Sequence, residues 1–333
     1  MARILRERWA TRKRLAREVA NWAARGISLP AATTLLAIAW ATGGCSHSEA
    51  KVEASHPAPP AVSYIGQWGK KGDGPGELDR PTCIATDAVG KVYIADAGSH
   101  FVHKFDTDGT PLLSFQEGAL KNPQSITVDS GGAIYVTELS SSSTFVYFPN
   151  GDRYKQVRLK ARANSEDMLS VGVDDGGVIQ ILDAEASRVF TYTPRFRLTK
   201  SWMPAAGDSG AAVRPRMVAA AADGSVFLLD GDAGRVLKFT SDGHFASEMK
   251  ADGGSGRLSD AFAVSPIGIF AADADGHTLH AWSPDGQPKL DLDLTAELGA
   301  GSDAVSGLAV SPRKELLVLD APQSRVLRYR INF

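Results

Sequence analysis

The sequence predicts an all-β fold, a six-bladed β-propeller with four-stranded antiparallel blades, on three observations. Five apolar runs end at an aspartate after a turn, and a sixth ends at Glu138; the aspartates are Asp96, Asp183, Asp230, Asp273 and Asp320. Successive acids lie 42, 45, 47, 43 and 47 residues apart, a period typical of propeller blades. The last unit stops after three strands, and the segment SYIGQWG at 63–69 supplies the missing one.

Each unit contains the pattern of four strands in a fixed order. An inner strand rich in small residues, such as CIATD at 83–87, precedes a turn and the acid-terminated strand. A third strand that ends on an aromatic residue, such as RVLKF at 235–239, leads through a turn to a more polar fourth strand. Pairing the N-terminal strand with the last blade closes the ring and removes two sheet edges. A parallel β-helix is the competing repeat fold, but its repeats are far shorter.

The N-terminal region has the pattern of an export signal. A basic region up to Arg25 precedes an apolar stretch at 27–41 that is too short to span a bilayer comfortably. The small residues that follow lead to Cys45 and resemble the lipobox of bacterial lipoproteins. We therefore expect residues 1–44 to be a lipoprotein-type signal peptide and Cys45 to be the lipidation site.

The chain after the signal divides into a tether and one domain. Residues 45–61 lack hydrophobic periodicity and predict a flexible tether, and residues 62–333 show no further break in composition. Because Ser46 rather than an aspartate follows the cysteine, the lipobox resemblance implies an outer-membrane lipoprotein on the periplasmic or surface face. An inner-membrane signal anchor is the alternative, and a plain secreted protein is a third.

The charge balance argues against a nucleic-acid partner. The whole chain has 36 basic and 38 acidic residues, and residues 1–44 hold eight of the basic and two of the acidic ones. The remainder has 28 basic and 36 acidic residues, a net charge of −8. An acidic domain repels the phosphate backbone, so the sequence predicts no nucleic-acid binding.

The repeat resembles the NHL-repeat family. The matching elements are Pro81 with the following IATD run, VYIAD at 92–96, strands of the RVLKF type, the Asp-Gly turns and a glycine-rich junction at 66–81. The resemblance implies the six-bladed fold but little about activity, because such propellers include lyases, lactonases and binding modules. Blade 2 departs from the pattern at Glu138, and blade 3 has Pro194 and Arg195 in place of an Asp-Gly turn.

The recurring charged residues have a structural interpretation. An acid at a strand end accepts backbone N–H bonds from the following loop, and its recurrence in every blade favours that role over a cation-binding ring. Matching arginines five residues later predict an ion pair within each blade rather than a polyanion site; they are Arg188, Arg235 and Arg325. The DxDG strings at 106–109 and 273–276 read as hairpin turns, since neither continues as a calcium loop.

The histidines are the more specific candidates. Blades 1 and 5 both carry histidine four and seven residues after their aspartate. His103 and His280 occupy positions that are apolar in other blades and are expected in the core. His100 and His277 fall in loops and are the candidate binding residues, because imidazole can bind zinc or act as a base. Cys83 is expected to be a small buried hydrophobe.

Function is therefore predicted at the level of class. The leading hypothesis is an exported, membrane-anchored propeller that acts as a scaffold or binds a protein or small molecule at one ring face. The alternative is a metal-assisted lyase or lactonase with its site at the central channel. The sequence identifies no catalytic residue, no cofactor and no metal-ligand set. An RNA-binding or ubiquitin-linked role is disfavoured by the export signal and the acidic domain.

Overall fold

The chain folds into six four-stranded antiparallel sheets arranged as a β-propeller, which confirms the predicted fold class. The computed structural model describes residues 60–116, 120–158, 169–207, 211–251, 256–299 and 305–333. The expected signal peptide, Cys45 and the tether up to residue 59 lie outside the described residues. In the described ranges, no helix has the length and apolarity needed to cross a membrane.

Strands follow chain order within each blade. Blade 1 contains β2 (Pro81–Thr86), β3 (Val92–Asp96), β4 (Val102–Phe105) and β5 (Pro111–Phe115), and blade 2 contains β6 (Pro123–Val128), β7 (Ile134–Glu138), β8 (Ser143–Tyr147) and β9 (Arg153–Arg158). Blade 3 contains β10 (Leu169–Val173), β11 (Ile179–Asp183), β12 (Arg188–Tyr192) and β13 (Leu198–Trp202). A hairpin of β14 (Ala205–Ala206) and β15 (Ala211–Ala212) precedes blade 4.

The second half repeats this plan with one change. Blade 4 contains β16 (Met217–Ala220), β17 (Val226–Asp230), β18 (Arg235–Phe239) and β19 (Phe245–Lys250), and blade 5 contains β20 (Leu258–Ser265), β21 (Gly268–Asp273), β22 (Thr278–Trp282) and β23 (Pro288–Asp293). A one-turn helix, α1 (Thr295–Leu298), follows blade 5. Blade 6 contains β24 (Val305–Val310), β25 (Glu315–Asp320), β26 (Arg325–Ile331) and β1 (Val62–Trp68).

Ring closure takes place as the sequence predicted. Strand β1 pairs antiparallel with β26, with Val62 opposite Ile331 and Trp68 opposite Val326. The inner strands of neighbouring blades contact one another around the whole ring, including β24 against β2. Both edges that an open ring would expose are therefore paired.

The hydrophobic core lies between blades rather than at the centre. The described residues form six buried apolar clusters, and each joins two neighbouring blades. The second strands β3, β7, β11 and β17 are buried along their whole length, whereas the outermost strand β9 is almost entirely exposed. Two cavities lie at opposite ends of the inner strands and share Ile84, Ile126 and Leu308 in their linings, so the axis of the ring is a channel.

The acid at the end of the second strand accepts backbone N–H bonds from the adjoining loops in blades 1, 2, 3, 5 and 6, whereas Asp230 of blade 4 bonds to the Arg235 side chain. In blade 1, Oδ1 of Asp96 accepts the N–H groups of Gly98 at 2.8 Å and Ser99 at 3.2 Å, and Oδ2 accepts that of Asp79 at 2.5 Å. In blade 2, Glu138 accepts the N–H groups of Ser140 and Ser141, which match Gly98 and Ser99, and also that of Asn122. The longer glutamate thus performs the same structural task.

Two of the three matching arginines form the predicted ion pairs. Arg235 lies 3.0 Å from Asp230, and Arg325 lies 2.7 Å from Asp320. In blade 3, Arg188 donates instead to the hydroxyl of Ser201 at 3.2 Å. The two ion pairs link the second and third strands of blades 4 and 6, and the Arg188 bond links the third and fourth strands of blade 3.

Candidate functional site at the channel mouth

The two ends of the channel differ because every inner strand runs in the same direction. Antiparallel pairing sets Pro81, at the start of β2, opposite Asp96, at the end of β3. The opening where inner strands begin, called here the start mouth, is therefore on the same side as the loops that carry His100 and His277. The opposite opening, where inner strands end, is called the end mouth.

Four blades carry a β-bulge at the start of the inner strand. In blades 1, 2 and 6 the pairing with the second strand skips one residue, and the skipped residues are Thr82, Gln124 and Ser306. In blade 5 the pairing skips residues 259–261, which include Asp260. A bulge leaves its extra residue outside the ladder and re-aims its side chain. The bulges therefore set a polar residue at the same position of each of these blades.

Blade 4 completes this set from a regular strand. Arg216 precedes Met217, which pairs with Leu229, so Arg216 occupies the register position that Thr82 occupies in blade 1. We call the five residues at this position the mouth ring; they are Thr82, Gln124, Arg216, Asp260 and Ser306. The start mouth has a volume of about 340 Å³, and Thr82, Gln124, Asp260 and Ser306 line it. Blade 4 lines it through Met217, and Arg216 adjoins it through its contact with Asp260.

The charged members of the mouth ring form an ion pair between blades 4 and 5. Nε and Nη2 of Arg216 lie 2.5 Å and 2.6 Å from the two carboxylate oxygens of Asp260. This bidentate geometry is the strongest that a guanidinium and a carboxylate form. The side chains remain 46% and 28% exposed, so solvent or a ligand can still reach both charges.

The neutral members of the mouth ring are anchored to their own blades. Thr82 donates its hydroxyl to the Ala95 carbonyl at 3.2 Å, and Ser306 donates to the Leu319 carbonyl at 3.3 Å. Gln124 donates its amide to the side chain of Asn122 at 3.0 Å. A hydroxyl that donates one bond keeps its acceptor lone pairs, so this part of the ring offers acceptors at fixed positions.

Cys83 lines the start mouth as an unreactive group. Its side chain is 7% exposed, as expected from the sequence, and burial raises the pKa of the thiol to about 12. A thiol with that pKa is protonated at neutral pH, and the protonated form is a poor nucleophile. Cys83 therefore contributes shape to the mouth rather than covalent chemistry.

The structure separates the four histidines as the sequence predicted. His103 and His280 are 0% and 2% exposed and lie in third strands. His103 bonds to Ser114 at 2.8 Å, and His280 bonds to Asp291 at 2.7 Å.

The two loop histidines do not reach the mouth. His100 adopts a φ of 63°, and both His100 and His277 are partly buried, with Nδ1 of His100 and Nε2 of His277 buried without a hydrogen-bond partner. Neither residue lines the start mouth. Throughout the part of the chain that the structure describes, no three His, Cys, Asp or Glu side chains form a group that could hold a metal ion.

The end mouth is wider than the start mouth, and its polar residues mainly stabilise hairpin turns. It has a volume of about 540 Å³ and is lined by all six blades. Two of its carboxylates are held by the hairpin turns. Asp87 accepts the N–H groups of Val89 and Lys91 and the hydroxyl of Tyr93. Asp129 is held in the same way by the corresponding turn of blade 2. This repetition identifies a structural element of each hairpin.

Sequence reasoning missed the mouth ring. The inner strands were identified, but their first polar residue was treated as part of a small-residue run. A signal was present, because a polar residue stands two positions before the apolar centre of the run in PTCIA, PQSIT and VSGLA. Only the ring geometry, however, brings these residues together.

Comparison with known proteins supports the fold. No family model matches the chain, and no curated protein matches it either. Among solved structures, a streptogramin B lyase superposes with a TM-score of 0.60 at 12% identity, over 80% of this chain and 97% of that one. Virginiamycin B lyase from Staphylococcus aureus gives a TM-score of 0.58 at 11% identity, over 81% and 100% of the two chains.

Two further neighbours extend this comparison. A catalytically inactive virginiamycin B lyase from Staphylococcus aureus, solved with quinupristin, gives a TM-score of 0.54 at 11% identity over 76% of this chain and 80% of that one. A protein of unknown function from Bacteroides caccae gives 0.52 at 14% identity over 69% and 85%. At such low identity these likenesses carry the architecture and not the activity. The chain is a six-bladed β-propeller whose structural neighbours include propeller lyases.

Proposed function

We propose that the protein is a binding module that holds a small polar ligand, or a polar group of a larger partner, at the start mouth. The observation that carries this proposal is the set of bulges that directs Thr82, Gln124, Asp260 and Ser306 to one ring position. A bulge interrupts the ladder, and bulges are over-represented at sheet edges and next to functional sites. The recurrence of the bulge at one position of one channel end supports a ligand there.

The mouth ring favours a ligand with both donors and acceptors. Arg216 and Asp260 present opposite charges side by side, so a zwitterionic or strongly dipolar group can bond to both without leaving either ion unpaired. The start mouth, at about 340 Å³, lies within the range of small-molecule pockets. Apolar residues such as Pro81, Pro123 and Val305 line the rest of the opening and would bury an uncharged part of the ligand.

The test is a thermal-shift screen of the full chain against amino acids, sugars and nucleosides. We expect one of these classes to raise the Tm by about 3 °C at saturating concentration. The shift should be lost in the Gln124→Leu and Arg216→Leu variants. Thr127→Val, at the end mouth, is the matched control and should keep the full shift. A shift that survives both start-mouth variants and disappears in the control would place the ligand at the other opening.

A lyase activity is the second candidate, and the structural neighbours are what favour it. Both the streptogramin B lyase and virginiamycin B lyase cover nearly the whole of this domain. Mass spectrometry of quinupristin and of any ligand found in the screen, after incubation with the protein, separates the two functions. Unchanged ligand supports the binding module, whereas a ligand converted by the wild type but not by Arg216→Leu would replace it with a lyase.

The proposal includes export, an NHL-type classification and a lipid anchor. The basic region, the apolar stretch and the small residues before Cys45 support an outer-membrane lipoprotein, with a signal anchor in the inner membrane as the alternative. Cys45→Ala should release the protein from the membrane fraction of cells that express it. Full retention of this variant would favour the signal anchor.

A further inference from the structure

The turn between the third and fourth strands has an unusual residue in blades 2 and 3, at its first position in blade 2 and at its fourth in blade 3. In blades 1, 2, 4 and 5 its fourth residue is a glycine with a φ between 84° and 89°; these glycines are Gly109, Gly151, Gly243 and Gly286. In blade 3 the same position holds Phe196 at a φ of 60°. A bulky residue in this region is strained by about 1–3 kcal/mol.

The first residue of the same turn is replaced in blade 2. Elsewhere this residue accepts a backbone N–H through its side chain, as Thr240 does from His244 and Ser283 does from Gln287. Blade 2 has Phe148 there, which has no acceptor. Departures from local preference are concentrated at functional positions.

These two phenylalanines gather around one tyrosine. The ring of Tyr154 on β9 lies 4.9 Å from that of Phe148 and 5.8 Å from that of Phe196. Phe148 is 46% exposed and Tyr154 is 55% exposed. Leu198, two residues after Phe196, is 50% exposed. Three large apolar side chains are thus presented to solvent on two adjacent segments, 148–158 and 193–203, called here the aromatic patch.

Basic side chains surround the aromatic patch. The segments 148–158 and 193–203 hold six basic residues and one acid, whereas the matching segments of blades 1, 4 and 5 together hold two basic residues and seven acids. Lys155, Arg195 and Arg197 are exposed. Residues 45–333 have a net charge of −8, and among these outer segments the positive charge is confined to the edge of blades 2 and 3.

We infer that the aromatic patch is a docking surface for an anionic lipid bilayer. Half-exposed aromatic and aliphatic side chains flanked by arginine and lysine are the composition of interfacial membrane contacts. The patch is built on turns and an outermost strand at the perimeter of the ring, which suits a flat surface. Base stacking is disfavoured because Lys155 Nζ lies over the Phe196 ring at 6.0 Å and the rings pack against one another. This contact is additional to any lipid on Cys45.

The test is hydrogen–deuterium exchange of the full chain with vesicles, because it reads the patch locally whatever the N-terminal region does. Vesicles of phosphatidylcholine with about one third phosphatidylglycerol should protect segments 148–158 and 193–203, and added salt should weaken the effect. Vesicles of phosphatidylcholine alone should protect them much less. The triple variant Tyr154→Ser, Arg195→Glu, Arg197→Glu should raise the vesicle concentration for half-protection at least about tenfold.

Two control variants separate the patch from general surface effects. Leu112→Ser removes the exposed residue at the position of Tyr154 in blade 1, and Lys250→Glu with Lys289→Glu changes charge on blades 4 and 5. Both should change the half-protection concentration by less than about twofold. Equal protection by the two vesicle types, no protection of these segments, or protection by polyglutamate but not by vesicles would overturn the proposal. The last result would identify an acidic protein as the partner.

Discussion

The joint between blades 6 and 1 and the joint between blades 2 and 3 are each filled by one large side chain, which comes from the outermost strand at the first and from the turn at the second. At the first, Gly109 in the turn of blade 1 lies under the ring of Trp68, from the outermost strand of blade 6. At the second, the turn carries Phe196 and the outermost strand carries Val157, at the register position of Trp68. The large side chain thus belongs to the turn at this joint and to the outermost strand at the other.

The difference shows how far a repeat tolerates change. The joints at Gly151 and Gly243 follow the first arrangement, with Phe115 and Trp202 as the covering side chains. Each joint needs one large side chain for close packing. When the turn supplies it, the backbone takes on strain, and the side chain can project past the joint toward solvent. The exchanged joint therefore gains an exposed aromatic surface.

The largest effect is expected from Gly109→Ala. A Cβ there would lie 2.3 Å from the Trp68 ring, and the φ of 88° is unfavourable for alanine. We expect a loss of about 4 kcal/mol in the free energy of unfolding, from overpacking and backbone strain together. Gly207→Ala is the matched control, because its φ is 67° but no atom lies within 4 Å of the new Cβ. Equal losses in urea titrations of the two variants would remove Trp68 from the explanation.

Acid should weaken the joint between blades 6 and 1 through His103. Its Nδ1 lies 2.8 Å from Ser114 Oγ and accepts the N–H of Gly76 in the glycine-rich junction at 3.3 Å, and burial lowers its pKa to about 4. The folded pKa is below the unfolded value of about 6.5, so the unfolded chain binds the proton first as pH falls. The stability that neutral His103 contributes is present above pH ~6.5 and is lost by pH ~4, a change of about 3 kcal/mol.

The variant His103→Gln isolates this contribution. Asp96 lies 4.0 Å from His103, and burial raises the pKa of its carboxyl, so the two groups act in opposite directions on acidification. Unfolding titrations from pH 7 to 4 should show a smaller decline for the variant than for the wild type. Parallel pH profiles of the two proteins would mean that the pKa of His103 is the same in the folded and the unfolded chain.

Trp202→Ala should have an intermediate effect. The ring covers Gly243 and packs 5.2 Å from Phe239, so its removal should lower the free energy of unfolding by about 2 kcal/mol. A Cβ on Gly243 would lie 2.8 Å from this ring. The Gly243→Ala change should therefore cost less in the Trp202→Ala background than in the wild type. A double-mutant cycle with no coupling energy would contradict the packing model.

Phe196→Gly should have the smallest effect on stability. Glycine relieves the strain at a φ of 60° but loses the contacts with Tyr154 and Tyr135, and the two terms nearly cancel. We expect a change of within about 1 kcal/mol in thermal or urea unfolding. Phe145→Ala, in the buried core of blade 2, is the contrast and should cost at least about 3 kcal/mol. A large loss for Phe196→Gly would mean that the packing of the ring outweighs the backbone strain.

The sequence predicted what each blade encodes locally. The acid at the end of each second strand, the four-strand pattern and the closing strand at Tyr64–Trp68 all follow from hydrophobic period and turn residues within one unit, and all are confirmed. The mouth ring was not predicted, because Thr82 and Asp260 meet only through the closed circle. The aromatic patch was missed for the same reason, although the absent Asp-Gly turn at Pro194 was noticed. The loop histidines His100 and His277 had stood out in sequence, yet the structure does not bring them to the channel.

The paired strands β1 and β26 have a consequence for biosynthesis. Blade 6 draws on residues at opposite ends of the domain, so a nascent chain that stops before Arg325 leaves β1 without its neighbour. Completion of the circle must then wait until synthesis has passed the final strand. A circular permutant that joins Phe333 to Val62 and opens between blades 3 and 4 would release that constraint and finish blade 6 early.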